Sequence, residues 1–150
     1  MDLGHWIFDK EFNPEDWYGF IYRIRDLTTN QEYIGKKCFF NQLRKVVKHR
    51  KNRKIIKKES NWRTYTSSST HLNHAIDEKG KDNFEFFIES LHKTKGSLTY
   101  AEVRMQILEN VLTEKLPNSL PRYYNRQISA IKFIPPDLLP EEKEMTRKKI

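Results

Sequence analysis

The sequence predicts a small α+β domain in which a three-stranded, mostly antiparallel sheet is flanked by helices. Two runs rich in aromatic and β-branched residues, 18–25 and 32–34, flank a turn-forming Thr-Thr-Asn cluster, which is typical of a β-hairpin. A third run, 83–92, alternates apolar and polar side chains as a half-buried strand does. Apolar residues at helical spacing over 70–79 and 99–115 indicate the two main helices.

The hairpin is the part of the chain around which we expect the rest to be organised. Side chains alternate between the two faces of a strand, so Tyr22 projects from the first strand and Tyr33 can project from its partner. Gly35 closes the second strand at a point where the backbone must bend or approach another group closely.

Between the hairpin and the third strand, the pattern predicts two helices. Residues 39–49 place apolar side chains at helix-like spacing and predict a short helix, followed by a polar connector. The second helix spans 70–79, with Ser69 or a neighbouring hydroxyl residue as its N-cap and Gly80 as its end. The run of hydroxyl residues before this helix also favours a contact with a phosphate group.

The last helix is expected over 99–115, with an apolar stripe formed by Tyr100, Val103, Ile107, Val111 and Leu112. Glu102, Gln106 and Glu109 then lie to one side of that stripe. Thr99 and Glu102 fit a capping box, in which the acid satisfies a backbone N–H group at the helix start.

The net positive charge of the chain comes from one segment. Its 150 residues suit a single domain, and the formal net charge is +8. Residues 36–58 contain eleven Lys or Arg and no acid, whereas the rest of the chain holds 17 basic and 20 acidic residues. Because such a block repels itself unless a polyanion neutralises it, we expect a nucleic-acid partner, with a solvated loop as the alternative.

Composition also excludes several classes of protein. No run approaches the length of a membrane helix, and the first residues lack the pattern of a secretory signal, so we expect a cytoplasmic protein without a membrane partner. The single cysteine, Cys38, excludes an internal disulfide and a cysteine-based zinc site.

Four landmarks in order resemble the GIY-YIG nuclease superfamily, and in particular the Seg-type, homing-endonuclease-like enzymes of phages. The first is the pair Phe-Ile-Tyr at 20–22 and Tyr-Ile-Gly at 33–35, with Phe in place of the first Gly. The others are Asn-Trp-Arg-Thr-Tyr-Thr-Ser-Ser at 61–68, Tyr-Ala-Glu at 100–102 and Tyr-Tyr-Asn at 123–125. The resemblance implies a nuclease domain over 18–134, between an acidic, aromatic N-terminal arm (1–17) and a charged C-terminal tail (135–150).

This resemblance implies a metal-dependent endonuclease that hydrolyses DNA phosphodiester bonds, acting in the host cytoplasm if a phage encodes it. The catalytic residues it implies are Tyr22, Tyr33, Arg44, His49 and Asn125. Glu102 would hold Mg²⁺ or Mn²⁺, with Glu109 as the fallback. Residues expected at the DNA interface are Lys36, Lys37, Lys45, Arg50, Arg53, Lys58, Trp62, Tyr65, Ser67 and Ser68. Of these, Lys36, Lys37, Arg50 and Lys58 are also substitutes for the catalytic cation.

Two other classes of protein stay open from the sequence. One is a nuclease-derived DNA-binding or regulatory module without catalysis, which replacement of the first Gly by Phe allows. The other is a basic RNA-binding protein that stacks bases on exposed aromatic residues. Only residues 135–150 follow the nuclease module, so specificity for a long site would come from the basic segment, a homodimer or a partner protein, or be absent.

Overall fold

The computed structural model describes residues 1–46, 48, 49, 51 and 54–134. The predicted DNA contacts at Arg50 and Arg53 and the predicted tail at 135–150 lie outside these residues. Within the described part of the chain, no helix is long and apolar enough to cross a membrane.

A four-stranded sheet forms the centre of the domain and confirms the predicted α+β class. The hairpin consists of β2 (Gly19–Asp26) and β3 (Glu32–Cys38), which pair antiparallel. The third predicted strand is β6 (Phe84–His92), antiparallel to β2 on its other side. A short strand that the sequence did not predict, β1 (Trp6–Ile7), pairs parallel with β6, so the strand order is β1-β6-β2-β3.

The sheet separates two hydrophobic clusters. One face carries an aromatic cluster that includes Trp6, Phe20, Tyr22, Phe39, Trp62 and Phe86. The other face carries a smaller, mainly aliphatic cluster formed by Ile21, Ile34, Leu98, Val111, Tyr123 and Ile128. Because strand residues alternate between the faces, Phe20 and Tyr22 serve the first cluster while Ile21 between them serves the second.

Helix α1 (Thr70–Lys79) packs on the aromatic side and follows the prediction closely. The Ser69 hydroxyl accepts a hydrogen bond from the Leu72 N–H (3.2 Å), as an N-cap residue does. Gly80 ends the helix with a φ of 90°, a backbone conformation that glycine adopts without strain. Leu72, Ala75 and Ile76 form its buried face.

Helix α2 (Lys95–Leu108) packs on the other face and corrects the prediction in two ways. Its N-cap is Thr94, which accepts from the Ser97 N–H at 3.1 Å, so the capping box at Thr99 was wrong. The predicted apolar stripe is only partly correct, because Tyr100 is 71% exposed and Ile107 is exposed, whereas Val103, Val111 and Leu112 pack in the aliphatic cluster. The buried residues of the helix are Leu98 and the polar Gln106.

The predicted helix over 39–49 is wrong as well. This segment forms β4 (Phe40–Lys45), which pairs antiparallel with β5 (Lys54–Glu59) in a separate two-stranded sheet, here called the β-ribbon. Leu43 and Val46, two of the apolar residues behind the helix prediction, are exposed, so no buried helix face forms. Cross-strand pairing with residues 9 to 19 positions away overrides the local pattern, as it often does for short apolar runs.

Candidate active site

Two tyrosines lie side by side on neighbouring strands, as the hairpin pattern predicts. Tyr22 on β2 and Tyr33 on β3 stack with ring centroids 6.1 Å apart and planes at 23°. Tyr65 approaches Tyr22 edge-on, at 6.0 Å and 80°. Tyr22 is buried and Tyr33 is partly exposed, so this group of three rings extends from the core to the surface.

Gly35 makes room for the tyrosine pair. It lies directly opposite Tyr22 in the β2–β3 register. A Cβ atom at position 35 would lie 2.6 Å from Cζ of Tyr22 and closer still to its hydroxyl. Any other residue here would therefore displace the Tyr22 ring, which gives the glycine of the Tyr-Ile-Gly landmark a physical reason.

Both phenols hold their protons tightly. Burial raises the pKa of Tyr22 well above its usual value, and Tyr33, Tyr65 and Glu102 raise it further. Burial also raises the pKa of Tyr33 to about 12, with Glu102 and Tyr65 acting in the same direction and a hydrogen bond with Ser68 opposing them. At pH 7 both side chains are therefore neutral phenols.

Glu102 reaches the same strand from helix α2. It is the eighth residue of α2, and its side chain is 21% exposed. Lys36 Nζ lies 3.9 Å from its Oε1 and donates to the Thr99 hydroxyl at 3.0 Å. Burial raises the pKa of the Glu102 carboxyl, and the charge of Lys36 and a hydrogen bond from its backbone only partly offset that rise.

An incompletely neutralised carboxylate of this kind fits a divalent cation. Mg²⁺ binds through one or two protein carboxylates and completes its shell with water and substrate phosphate oxygens. Within the described ranges no three His, Cys, Asp or Glu residues cluster closely enough to hold a metal by themselves. Glu102 can therefore supply the protein ligand of a site that also needs oxygen atoms of the substrate.

Asn125 fixes the outer edge of β3 beside the tyrosines. Its Oδ1 accepts from the Ile34 N–H (3.1 Å), and its Nδ2 donates to the Ile34 carbonyl (2.8 Å). Gln106 Nε2 donates to the same carbonyl at 2.9 Å. Since Ile34 lies between Tyr33 and Gly35, these bonds position the strand that carries the candidate site.

The landmark at 61–68 contains both buried residues and residues exposed beside the tyrosines. Trp62 is fully buried in the aromatic cluster, so the predicted DNA contact by its side chain was wrong in this fold. Ser67 is buried too, and its hydroxyl accepts from the Ser69 N–H (3.1 Å), which orders the approach to α1. Ser68 is exposed next to Tyr33, and Tyr65 is partly exposed.

The predicted cations fall into two groups. Lys36 and Lys37 lie on β3 within the site, where Lys37 Nζ sits 4.1 Å from the centre of the Tyr65 ring. Arg44 and Lys45 lie near the far end of β4, roughly 16 Å of strand beyond Phe39. His49 is exposed in the turn that follows, with a φ of 73°, and Lys58 is exposed on β5.

Gln106 is the part of the site that the sequence analysis did not assign to a role. It follows Glu102 by four positions, so the two residues share one face of a helix. The signal in the sequence is a carboxylate and an amide on one helix face. The predicted apolar stripe, however, places that face beside the buried side of the helix.

A comparison with protein families identifies the family of the chain. A family model described as "Putative endonuclease segE, GIY-YIG domain" matches residues 6–128. No curated protein and no solved structure matches the chain. The matched range contains both tyrosines, Gly35, Glu102 and Asn125. The chain therefore belongs to the GIY-YIG endonuclease family of the SegE type.

Proposed function

We propose that the chain is a divalent-metal-dependent endonuclease that hydrolyses phosphodiester bonds in DNA. The observation that supports this most is the convergence on β3 of the stacked Tyr22 and Tyr33 and the half-buried Glu102. GIY-YIG nucleases generally depend on a divalent metal, and Mg²⁺ or Mn²⁺ suits an all-oxygen site with one carboxylate. The family relationship supports a homing-endonuclease-like role in a phage.

In this proposal, the two phenols act as neutral hydroxyl groups that orient the attacking water and the phosphate. Their raised pKa values oppose a phenolate base unless a cation is bound nearby. A metal ion on Glu102 would supply that charge and stabilise the leaving oxygen. Asn125 acts through the backbone of Ile34, so its role is to position Tyr33 rather than to touch the substrate.

Lys36 and Lys37 are the cations that we propose for the scissile phosphate. Lys36 is held by Thr99 and Glu102, and Lys37 is held over the ring of Tyr65, so both are oriented before substrate arrives. Arg44 and His49, which the resemblance implies for this role, are carried on and beyond β4 and would contact the DNA backbone further along the duplex.

The test is cleavage of supercoiled plasmid with Mg²⁺ and, in parallel, with EDTA. We expect nicked or linear products with Mg²⁺ only. Salt-sensitive DNA binding without cleavage would overturn the proposal in favour of a DNA-binding module that lacks catalysis. Tighter binding to single-stranded RNA than to duplex DNA would instead identify an RNA-binding protein.

A further inference from the structure

The β-ribbon is the part of the fold whose surface the candidate active site leaves unused. Its strands pair with each other and form a sheet of their own, with register pairs from Phe40–Glu59 to Lys45–Lys54. Asn41, Gln42 and Leu43 on one strand and Lys57 and Lys58 on the other are exposed. A two-stranded ribbon alone is marginally stable in water, so this ribbon gains from a partner.

The charge of the ribbon identifies that partner as a polyanion. Its two strands hold five Lys or Arg and one acid, Glu59, at the end of β5. Glu59 is bound by Arg63 and by the Trp62 indole N–H (3.0 Å), so it does not oppose a polyanion on the ribbon. Lys57 contacts Glu15 at 2.9 Å, but that pair is exposed and weak, so a phosphate can displace the acid.

The width of the ribbon fits the major groove of duplex DNA better than the minor groove. Strands of six residues are about 20 Å long, and the two strands lie about 4.8 Å apart before side chains are added. The major groove, about 12 Å wide, admits a two-stranded β-ribbon, whereas the minor groove, about 6 Å wide, does not.

Both faces of the ribbon carry groups that can read bases. The register pairs Asn41 with Lys58 on one face and Gln42 with Lys57 on the other. Amide side chains recognise adenine through two hydrogen bonds, and lysine binds guanine or a phosphate. Each face thus combines an amide with a cation.

We propose that the β-ribbon enters the major groove beside the cleavage position with one face toward the bases. Asn41 and Lys58 then lie at base edges, and Gln42 and Lys57, on the other face, lie toward the flanking phosphates. This inference rests on the proposed nuclease function and names how its DNA is held. Asn41 and Gln42 follow Lys36 by five and six residues, about 17–20 Å of strand, so the contacted bases lie within about six base pairs of the candidate site.

The experiment measures duplex affinity in EDTA, where binding is independent of cleavage. One duplex carries bulky 5-substituents on every cytosine, which block the major groove, and one A·T-rich duplex is pre-bound by distamycin, which blocks the minor groove. We expect affinity to fall about tenfold or more for the first duplex and less than about twofold for the second. Equal effects of the two blocks, or a larger effect of distamycin, would overturn the inference.

Variants of the chain separate the ribbon from the rest of the surface. In Asn41→Ala/Gln42→Ala the ratio of affinities for unmodified and major-groove-blocked DNA should fall toward one. Lys57→Ala should lower the slope of log affinity against log salt by about one, while the exposed control Lys115→Ala leaves it unchanged. If the ribbon variants left both the salt slope and the affinity ratio unaltered, the proposal would be contradicted. If both changed as expected but the wild-type chain did not cleave DNA, only the nuclease function would be contradicted.

Discussion

At the scale of single residues, the candidate site depends on the absence of a side chain at Gly35. Gly35→Ala should destabilise the fold by about 1–3 kcal/mol and reduce cleavage, because the added methyl group meets the Tyr22 ring. Urea denaturation and plasmid nicking measure the two effects. Gly96→Ala is the matched control, since nothing lies within 4 Å of a Cβ there and alanine favours the helix. A fully stable, active Gly35→Ala protein would show that Tyr22 is not held as described.

Asp26 is the buried acid at the other end of β2. It accepts hydrogen bonds from Lys79 (2.5 Å), Tyr124 (2.6 Å) and Thr28 (2.6 Å). Burial disfavours its charge, but these bonds outweigh burial and lower its pKa from 3.8 to about 2.

The lowered pKa of Asp26 predicts a defined pH dependence. Because its pKa is lower in the folded state, Asp26 contributes about 2 kcal/mol above pH 4 and loses that contribution as the pH falls toward 2. Asp26→Asn should therefore be less stable at pH 7 and show a flatter decline between pH 4 and 2. The exposed Asp77→Asn is the control for denaturation at each pH. If the stabilities of Asp26→Asn and wild type fell equally steeply between pH 4 and 2, this explanation would be contradicted.

At the scale of elements, α2 buries a polar residue beside its apolar ones. Gln106 is buried and donates to the Ile34 carbonyl, while Ile107 is exposed. Gln106→Leu, a change from polar to apolar, should cost about 1 kcal/mol because that hydrogen bond is lost. Ile107→Gln should change stability by less than about 0.5 kcal/mol. Thermal unfolding of both variants checks the expectation, and the opposite ranking would restore the apolar stripe predicted from sequence.

The elements also show what the sequence could and could not predict. The hairpin, α1 and β6 follow from local patterns and caps, and those patterns held. The β-ribbon does not follow from a local pattern, because its apolar residues, such as the exposed Leu43, have the spacing of a helix as well. Only the pairing of Leu43 with Ile56 decides between a helix and a strand. The face of α2 was missed because Glu102 and Gln106 are needed at β3, and a hydrophobic pattern cannot report that need.

At the scale of the whole molecule, the N-terminal residues belong to the core that supports the tyrosines. Trp6 is buried against Phe20, Tyr22 and Phe86. Trp6→Ala should therefore cost about 3–5 kcal/mol, whereas Ile7→Ala, at an exposed position, should cost less than about 0.5 kcal/mol. Chemical denaturation measures both, and equal stabilities would mean that the segment is a detachable arm.

The whole molecule combines a rigid centre with a basic extension. The sheet, held by aromatic packing on one face and by α2 on the other, places the two tyrosines and Glu102 at β3. The β-ribbon follows that strand directly and carries much of the positive charge. This arrangement fits the proposed endonuclease, in which the basic extension would hold nucleic acid beside the candidate site.

The most direct test of this arrangement is the rate of plasmid nicking by Glu102→Gln, with Glu109→Gln as the matched control. Glu109 is the C-cap residue of α2, and its carboxylate binds Tyr123 at 3.2 Å and Arg23 at 3.9 Å instead of facing Lys36. We predict that Glu102→Gln loses about 100-fold or more of the Mg²⁺-dependent rate while remaining folded, and that Glu109→Gln stays within about threefold of wild type. Wild-type cleavage by Glu102→Gln, or loss of cleavage only in a folded Glu109→Gln, would contradict the placement of the active site at β3.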